Sequence, residues 1–304
     1  MLLLDRLSRK ESYSSEENRR LAYRLGITAW IPRAHIYLPK QIKFADFGLS
    51  TMVGCDECEI WNCGAKLNYN LVANKFVPQS EIDWFWLLSR TVNNVLSGKR
   101  VRNECLEGKP AIVVLNDMGD TFTPSMPLMW FEKTMRRLEE VDLGAKYIIS
   151  TKWPERAERF FANYGKFPDD LILMTSASHQ GFLDRRTEAL LKVKDMYPES
   201  RVGLMLMPIL EHIEMSSLSW LDWIVLGAHT GTKKAAGGFP SERWFDDVID
   251  YTRKDGVPIF VNNLWRHRSV VRKSTAEMLS DTKRWRQEAA RFKIREFPEK
   301  WIQQ

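Results

Sequence analysis

Three of the four cysteines in the 304-residue chain lie within nine residues of one another. Cys55, Cys58 and Cys63 form a C-x2-C-x4-C pattern, and the fourth cysteine, Cys105, is distant in the sequence. Three thiolates on one short loop are a ligand set for a soft metal ion or an iron–sulfur cluster. The pattern therefore predicts a metal centre held by Cys55, Cys58 and Cys63.

Two kinds of metal centre fit this spacing. Three protein thiolates leave one iron of a [4Fe-4S] cluster open, and an open iron can bind S-adenosylmethionine, as in radical enzymes. The usual spacing for that chemistry is C-x3-C-x2-C, but C-x2-C-x4-C occurs in the pyrimidine synthase of thiamine biosynthesis. The alternative is structural zinc, since C-x2-C is an ordinary zinc half-site and Cys105 or a histidine would supply the fourth ligand. Thiols that bind no metal are the third alternative.

Composition narrows the class of protein. The chain is 44% apolar, which is enough for a large core, and it lacks a run of about 18 apolar residues, so no membrane span is predicted. Crowded cysteines do not resemble a secreted disulfide framework, and we expect a cytoplasmic protein. A net charge of +6 and twelve tryptophans, several beside basic residues, permit contact with DNA or a nucleotide. Core aromatics with solvated neighbours are the alternative.

The elements that must position the cysteines follow from the apolar pattern. Short apolar runs alternate with amphipathic helices after residue 108, which is typical of a parallel sheet covered by helices. We predict an α/β fold with a full or partial (β/α) barrel, with a doubly wound open sheet as the alternative. The predicted strands are residues 47–53, which lead into the cysteine loop, 111–115, 147–150, 171–175, 202–207, 223–226 and 259–261. The predicted helices are 80–98, 128–141, 154–164, 182–196, a short one at 211–217, 241–254 and 274–292.

The chain divides into three predicted parts. Residues 1–46 form an N-terminal arm, residues 47–265 the partial barrel with its cysteine loop, and residues 266–304 a basic helical tail. We expect the tail to pack outside the barrel as a solvated helix, or to offer a face that binds a polyanion. Its basic residues are Arg266, Arg268, Arg272, Lys273, Lys283, Arg284, Arg286 and Arg291.

Polar residues follow most of the predicted strands. In (β/α) barrels the chemistry lies at the carboxyl ends of the strands, so these residues are predicted to face the same mouth as the cysteines. Among glycines, His229 is a poor core residue, and Lys152 could pair with a carboxylate or phosphate. The predicted catalytic residues are Lys152, His229 and Asp120. The predicted cofactor-binding residues are Asp117, Asp120, Ser176, Ser178, Gly227 and Asn262. Turn or helix-cap roles for Asp117 and Asp120 are the alternative.

Several stretches together resemble a family of phage-encoded and bacterial radical-SAM-like proteins of uncharacterised function. Its Gly-Cys-Asp-x-Cys element is matched at residues 54–58, its Thr-Lys-x-Pro-Glu-Arg element at 151–156, and its Gly-Val-Pro-x-Phe strand at 256–260. Looser matches, in the same order along the chain, fall at residues 119–122, 176–180 and 223–231.

This resemblance implies a radical-SAM half-barrel with a [4Fe-4S] cluster on its first loop, S-adenosylmethionine as cofactor, and an electron donor such as flavodoxin or ferredoxin. The phage connection suggests a nucleobase or hypermodified base in DNA as substrate, and an isomerisation or rearrangement as reaction. Two departures stand out: one family cysteine precedes the Gly-Cys pair, whereas Cys63 follows it here, and family glutamates are replaced by Ser178, Met207 and His229. The alternative function is a zinc-stabilised nucleic-acid-binding protein without catalysis.

Overall fold

In a computed structural model of this protein, the strands of the sheet lie side by side in the order in which they occur in the sequence. The structure describes residues 45, 47–49, 55, 112–117, 119–141, 145–216, 218–227, 241–263, 294 and 296–298. Seven strands within these ranges form one sheet, and every neighbouring pair is parallel. The strands are β1 (Phe47–Leu49), β2 (Ile112–Leu115), β3 (Lys146–Thr151), β4 (Leu171–Ser176), β5 (Arg201–Leu206), β6 (Trp223–Gly227) and β7 (Ile259–Asn263). The helices are α1 (Leu128–Val141), α2 (Pro154–Tyr164), α3 (Gln180–Met196) and α4 (Glu242–Asp255).

This sequential order makes the sheet a curled half-barrel. Crossovers between parallel strands are right-handed, so strands added always on the same side keep every connecting helix on one face. A doubly wound sheet would instead reverse its strand order at a switch point, and the order β1 to β7 contains no reversal. The predicted partial (β/α) barrel, with parallel strands and outer helices, is therefore confirmed.

The outer face of the sheet packs against the helices. Alternate strand residues such as Leu115, Ile149 and Leu173 join one buried cluster with Phe131 of α1 and Leu190 of α3. Each fully buried side chain of this size contributes about 1.5–3 kcal/mol, so this layer supplies much of the stability.

The inner face has a second, separate core. Intervening strand residues such as Ile148, Met174 and Trp223 form this cluster, and Phe297 from the C-terminal segment joins it. The ring centroid of Phe297 lies 5.4 Å from that of Trp223 and 5.3 Å from that of Phe260. Because Trp223 is the first residue of β6, these aromatic rings fill the inner face toward the amino ends of the strands.

The same C-terminal segment covers the edge of β7. The Val261 N–H donates to the Ile294 carbonyl and the Glu296 N–H to the Ile259 carbonyl, each at 3.1 Å. This pair of bonds is an antiparallel bridge, and it satisfies backbone groups that an open edge would expose. The indole N–H of Trp223 also donates to the Glu296 carbonyl at 2.9 Å.

One predicted element is wrong. The short helix expected at residues 211–217 is absent from the described part of that stretch, because residues 211–216 are irregular. An isolated helix of two turns is marginal in water, and here neighbouring side chains bind the backbone of this stretch instead.

Smaller differences concern the ends of elements. Strand β5 ends at Leu206, one residue before the predicted limit, and Met207 lies in the turn that follows. The predicted helices 80–98 and 274–292, and residues 50–53 of the first strand, lie outside the described residues. None of the helices that the structure describes is both long and apolar enough to cross a membrane.

Candidate functional site

The carboxyl ends of the strands present a polar rim on the inner face. Strand alternation places Ser150 above Ile148, Ser176 above Met174, and Asn262 above Phe260, all on the inner side of the sheet. The Asn262 side-chain amide donates to the sulfur of Met207 at 3.2 Å, which joins the ends of β5 and β7. Two of the predicted cofactor-binding residues, Ser176 and Asn262, therefore share the inner mouth of the half-barrel.

Asp120 lies elsewhere, beside the helix layer. Its Oδ1 accepts from the Thr151 hydroxyl at 2.6 Å and from the Phe122 N–H at 3.0 Å, and its Oδ2 accepts from the Lys152 N–H at 2.7 Å. Phe122 belongs to the outer cluster, so the carboxyl group ties the loop after β2 to the end of β3 on that side. Burial raises the pKa of Asp120, and the hydrogen bonds from Thr151 and Lys152 oppose that rise. These contacts give Asp120 a positioning role, while its catalytic role stays a prediction.

The Thr-Lys-x-Pro-Glu-Arg element at residues 151–156 serves the same junction. The Thr151 hydroxyl accepts from the Trp153 N–H at 2.9 Å, and Pro154 opens α2 at a position where no N–H is needed. The Arg156 guanidinium donates to the carbonyls of Thr123 and Met126 at 2.7 and 3.0 Å. Most of this motif is thus used to join loop and helix, and the half-buried Lys152 contributes its backbone to the same network.

Ser178 and Gly227 are brought together by the segment after β5. The Leu210 N–H donates to the Ser178 carbonyl at 3.0 Å, and the Ile209 N–H donates to the Gly227 carbonyl at 3.1 Å. The Ser178 side chain is only 3% exposed, and its hydroxyl has no hydrogen-bond partner among the residues that the structure describes. Such a group costs about 1–3 kcal/mol when buried, so Ser178 is a candidate for a contact that a bound molecule completes.

Arg186 is a candidate that sequence reasoning missed. It is 4% exposed, its Nη1 donates to the Ser176 carbonyl at 2.6 Å, and its guanidinium lies 4.3 Å from the ring centroid of Phe182. A guanidinium is therefore buried directly behind the end of β4. The signal in the sequence is an arginine within the apolar stripe of α3, one turn after Leu183 and one turn before Leu190.

The three clustered cysteines follow β1 in the sequence. Parallel pairing with β2 directs β1 toward the same edge as the other carboxyl ends, and Cys55 follows six residues after Leu49 and is exposed. An exposed thiol in a sequence-local trio suits a soft metal or cluster. Cys58 and Cys63 lie outside the described residues, as do Cys105 and His229. Among the residues that the structure does describe, no three His, Cys, Asp or Glu side chains form a group that would hold a metal ion.

Asp117 completes the set of predicted site residues. It is half-buried in the turn after β2, next to Asn116, whose positive φ of 57° is a conformation that asparagine tolerates well. The Asn116 amide donates to the Thr121 hydroxyl at 2.7 Å, so this turn is fixed from within. Asp117 follows β2, the strand that pairs with β1, and this position keeps it among the candidates.

The fold and the polar rim together define a class of protein. Its members are parallel (β/α) half-barrels with a polar inner mouth and clustered cysteines after the first strand. Within that class, the chain belongs to the family described as "Protein of unknown function (DUF5131)", whose model matches residues 40–289. Searches among curated proteins and among solved structures gave no match.

Proposed function

We propose that this protein is a radical S-adenosylmethionine enzyme whose [4Fe-4S] cluster is held by Cys55, Cys58 and Cys63. The main support for this proposal is the position of the three clustered cysteines in the fold. The trio follows β1, which pairs in parallel with β2 and comes first in the described sheet, and its described member, Cys55, is exposed. Three thiolates leave one cluster position for a small molecule, and a half-barrel mouth gives that molecule a protein wall.

The roles of the surrounding residues follow from their contacts. When bound, such a cluster supplies an electron to the sulfonium of S-adenosylmethionine. Ser176 and Asn262 offer a hydroxyl and an amide to the bound molecules from the inner rim. The Ser178 hydroxyl provides a further buried group, while Lys152 and His229 are the proposed catalytic residues. The buried rings of Trp223, Phe260 and Phe297 fill the inner face toward the amino ends of the strands and exclude water from that side.

The substrate and partners belong to the same proposal. A nucleobase or hypermodified base in phage DNA fits the basic residues between 266 and 291 and the family resemblance. The reaction would be an isomerisation or rearrangement, with flavodoxin or ferredoxin as electron donor in a reducing cytoplasm.

Metal and sulfide analysis tests the proposal directly. Protein purified or reconstituted without oxygen should be brown and hold about four iron and four sulfide per chain. The substitutions Cys55→Ser, Cys58→Ser and Cys63→Ser should each remove most of the iron, because each deletes one thiolate ligand.

Cys105→Ser is the matched control, since it also replaces one thiol and should leave the iron content unchanged. A colourless, iron-free protein after reconstitution contradicts the proposal. If that protein holds one zinc per chain and its DNA binding weakens steeply with salt, it is the zinc-stabilised binding protein instead.

A further inference from the structure

One turn after β5, residues 207–210, contacts the ends of the strands on both sides of β5. The Leu210 N–H donates to the Ser178 carbonyl just after β4, at 3.0 Å, and the Ile209 N–H donates to the Gly227 carbonyl at the end of β6, at 3.1 Å. The turn therefore continues the position of β5 between its two neighbours. Two of the residues predicted to bind a cofactor, Ser178 and Gly227, meet at this turn.

A register shift at the end of β7 singles out Asn262. Leu226 pairs with Val261, but the next residue, Gly227, pairs with Asn263, so Asn262 is the extra residue of β7 at this point. Such a bulge re-aims a side chain and is frequent beside active sites. A glycine on the opposing strand leaves room there for another group to approach.

The Asn262 side chain is 1% exposed and bonds a residue of the same turn. Its amide donates to the sulfur of Met207 at 3.2 Å, and Met207 packs against the inner cluster, so the amide faces the inner mouth. A thioether sulfur is a weak acceptor, and a methionine side chain is flexible. An oxygen or ring nitrogen of a bound molecule would therefore replace the sulfur as acceptor at little cost.

Ser178 faces the same side. The pairing of β4 with β5 continues past the end of β4, because the Ala177 N–H donates to the Met205 carbonyl at 3.0 Å. Ala177 belongs to the outer cluster, so alternation places Ser178 on the inner side. The buried Ser178 hydroxyl has no hydrogen-bond partner among the described residues, and a bound acceptor would remove the cost of that state.

The side chains joined by this turn carry no charge. They are the Ser178 hydroxyl, the Asn262 amide and the Met207 thioether, so they suit an uncharged molecule with hydrogen-bonding edges. Nucleobases have such edges, and their flat rings pack well against thioethers. An asparagine amide matches the donor and acceptor that adenine presents side by side at N6 and N7.

We propose that Ser178, Met207 and Asn262 form the subsite for an adenine base of the DNA substrate, separate from the cofactor. In naming a base as substrate, the inference rests on the proposed function. Enzymes that modify a base take it out of the stack and read its edge in a pocket. Here the Asn262 amide bonds N6 and N7, the Met207 thioether packs on the ring, and the Ser178 hydroxyl donates to an oxygen of the attached deoxyribose.

The spacing of the strands allows one nucleoside to reach both groups. Neighbouring strands lie about 4.8 Å apart, so the ends of β4 and β7 are separated by at most about 14 Å, and by less in a curled sheet. A deoxynucleoside together with the two side chains spans that gap. The turn adjoins Ser178, and a small shift of the turn would open the hydroxyl to the bound sugar.

Titration of the full-length protein with the four deoxynucleosides tests the subsite. Deoxyadenosine should bind most tightly, and Ser178→Ala should weaken its binding about three- to tenfold, because one hydrogen bond is lost. Ser200→Ala is the matched control, since Ser200 is also 3% exposed with a hydroxyl that has no partner among the described residues, but precedes β5 at the opposite edge of the sheet. Neither substitution should lower the midpoint of urea unfolding, and only Ser178→Ala should change binding.

Asn262→Asp tests which base the subsite reads. A carboxylate accepts but does not donate, so the preference should move from deoxyadenosine toward deoxycytidine by roughly five- to hundredfold. The affinity of the wild type for deoxyadenosine should be unchanged by saturating S-adenosylhomocysteine, because the cofactor lies elsewhere in the mouth.

Three results overturn the inference: no preference for deoxyadenosine, equal binding by the wild type and Ser178→Ala, or competition by S-adenosylhomocysteine. The last result would assign these residues to the cofactor. The titration needs no cluster, so its outcome is separate from that of the metal analysis. An iron-free protein that binds deoxyadenosine keeps the subsite and loses the radical chemistry, and an iron-loaded protein that binds no deoxynucleoside does the reverse.

Discussion

Asp120 shows how a single carboxyl group links two parts of the site. Its two oxygens accept from the Thr151 hydroxyl and from the N–H groups of Phe122 and Lys152. The Thr175 hydroxyl donates to the Thr151 carbonyl at 2.9 Å, which extends the network to β4. Residues at the ends of three neighbouring elements are thus fixed relative to one another before any ligand binds.

The buried position of Asp120 predicts a pH dependence of stability. Burial raises the pKa of its carboxyl group in the folded protein, whereas the unfolded chain titrates near about 3.9. The folded state therefore holds the proton more tightly, so this group's contribution is complete below about pH 4 and is lost as pH rises through the folded pKa. Asp120→Asn cannot titrate, so the free energy of unfolding of the wild type should fall relative to that variant as pH increases above about 4.

Urea denaturation of both proteins across this pH range makes the comparison. Asp195→Asn, a substitution of an exposed carboxylate on α3, is the control and should give a curve parallel to the wild type. If the wild type instead gains stability over Asp120→Asn with rising pH, its hydrogen bonds outweigh burial and the assigned direction is wrong.

At the scale of elements, the close packing of β5 against β6 depends on Gly203. A Cβ atom at this position would lie 2.8 Å from the backbone oxygen of Trp223 and 2.9 Å from the side chain of Met174. The backbone oxygen belongs to a paired strand and cannot move without disturbing the sheet. Glycine is therefore required at this point of the inner face.

Gly203→Ala should lower the free energy of unfolding by about 1–3 kcal/mol, because overpacking a strand interior forces neighbouring atoms apart. The matched control is Gly181→Ala in the first turn of α3, where the new Cβ meets no atom within 4 Å. That change should be neutral or stabilising by up to about 1 kcal/mol, since alanine is the better helix former. Equal effects of the two substitutions in urea denaturation would argue against the packing explanation.

Element positions were largely predictable, and the faces of those elements were not. Pro154 at the start of α2 and Gly165 at its end, with a φ of 80°, gave correct limits from local chemistry. The strands, however, are apolar on both faces, so their sequences carry no alternation that separates Thr151 on the outer side from Ser176 on the inner side. The helix expected at 211–217 failed because the groups that hold this stretch belong to other segments, above all Gln180.

At the scale of the whole molecule, the C-terminal segment completes the half-barrel. Phe297 is buried among inner-face aromatics, although a basic stretch separates it from β7 in sequence. Nothing local to residues 294–298 distinguishes this phenylalanine from a surface residue, so its burial was not foreseeable from sequence. Long-range contacts of this kind are visible only when the sheet has been assembled.

Phe297→Ala should destabilise the protein by about 3–5 kcal/mol, because it leaves a cavity between Trp223 and Phe260 that the paired strands cannot collapse to fill. Thermal and urea unfolding would measure the loss. Met196→Ala, at a residue of α3 that is 41% exposed, is the control and should stay within about 0.5 kcal/mol of the wild type. A comparably small effect of Phe297→Ala would mean that the C-terminal segment contacts the sheet without contributing to the stability of the protein.

The bridge between β7 and residues 294–296 also has a consequence for biosynthesis. A ribosome delivers β7 some thirty residues before it delivers the segment that covers that strand's edge. Until that segment emerges, the nascent half-barrel exposes an unpaired strand and an aromatic patch, the features that chaperones bind and that promote aggregation. Folding on the ribosome should therefore reach its native state late, and nascent chains arrested shortly after β7 should be far more sensitive to protease than those arrested beyond the bridge.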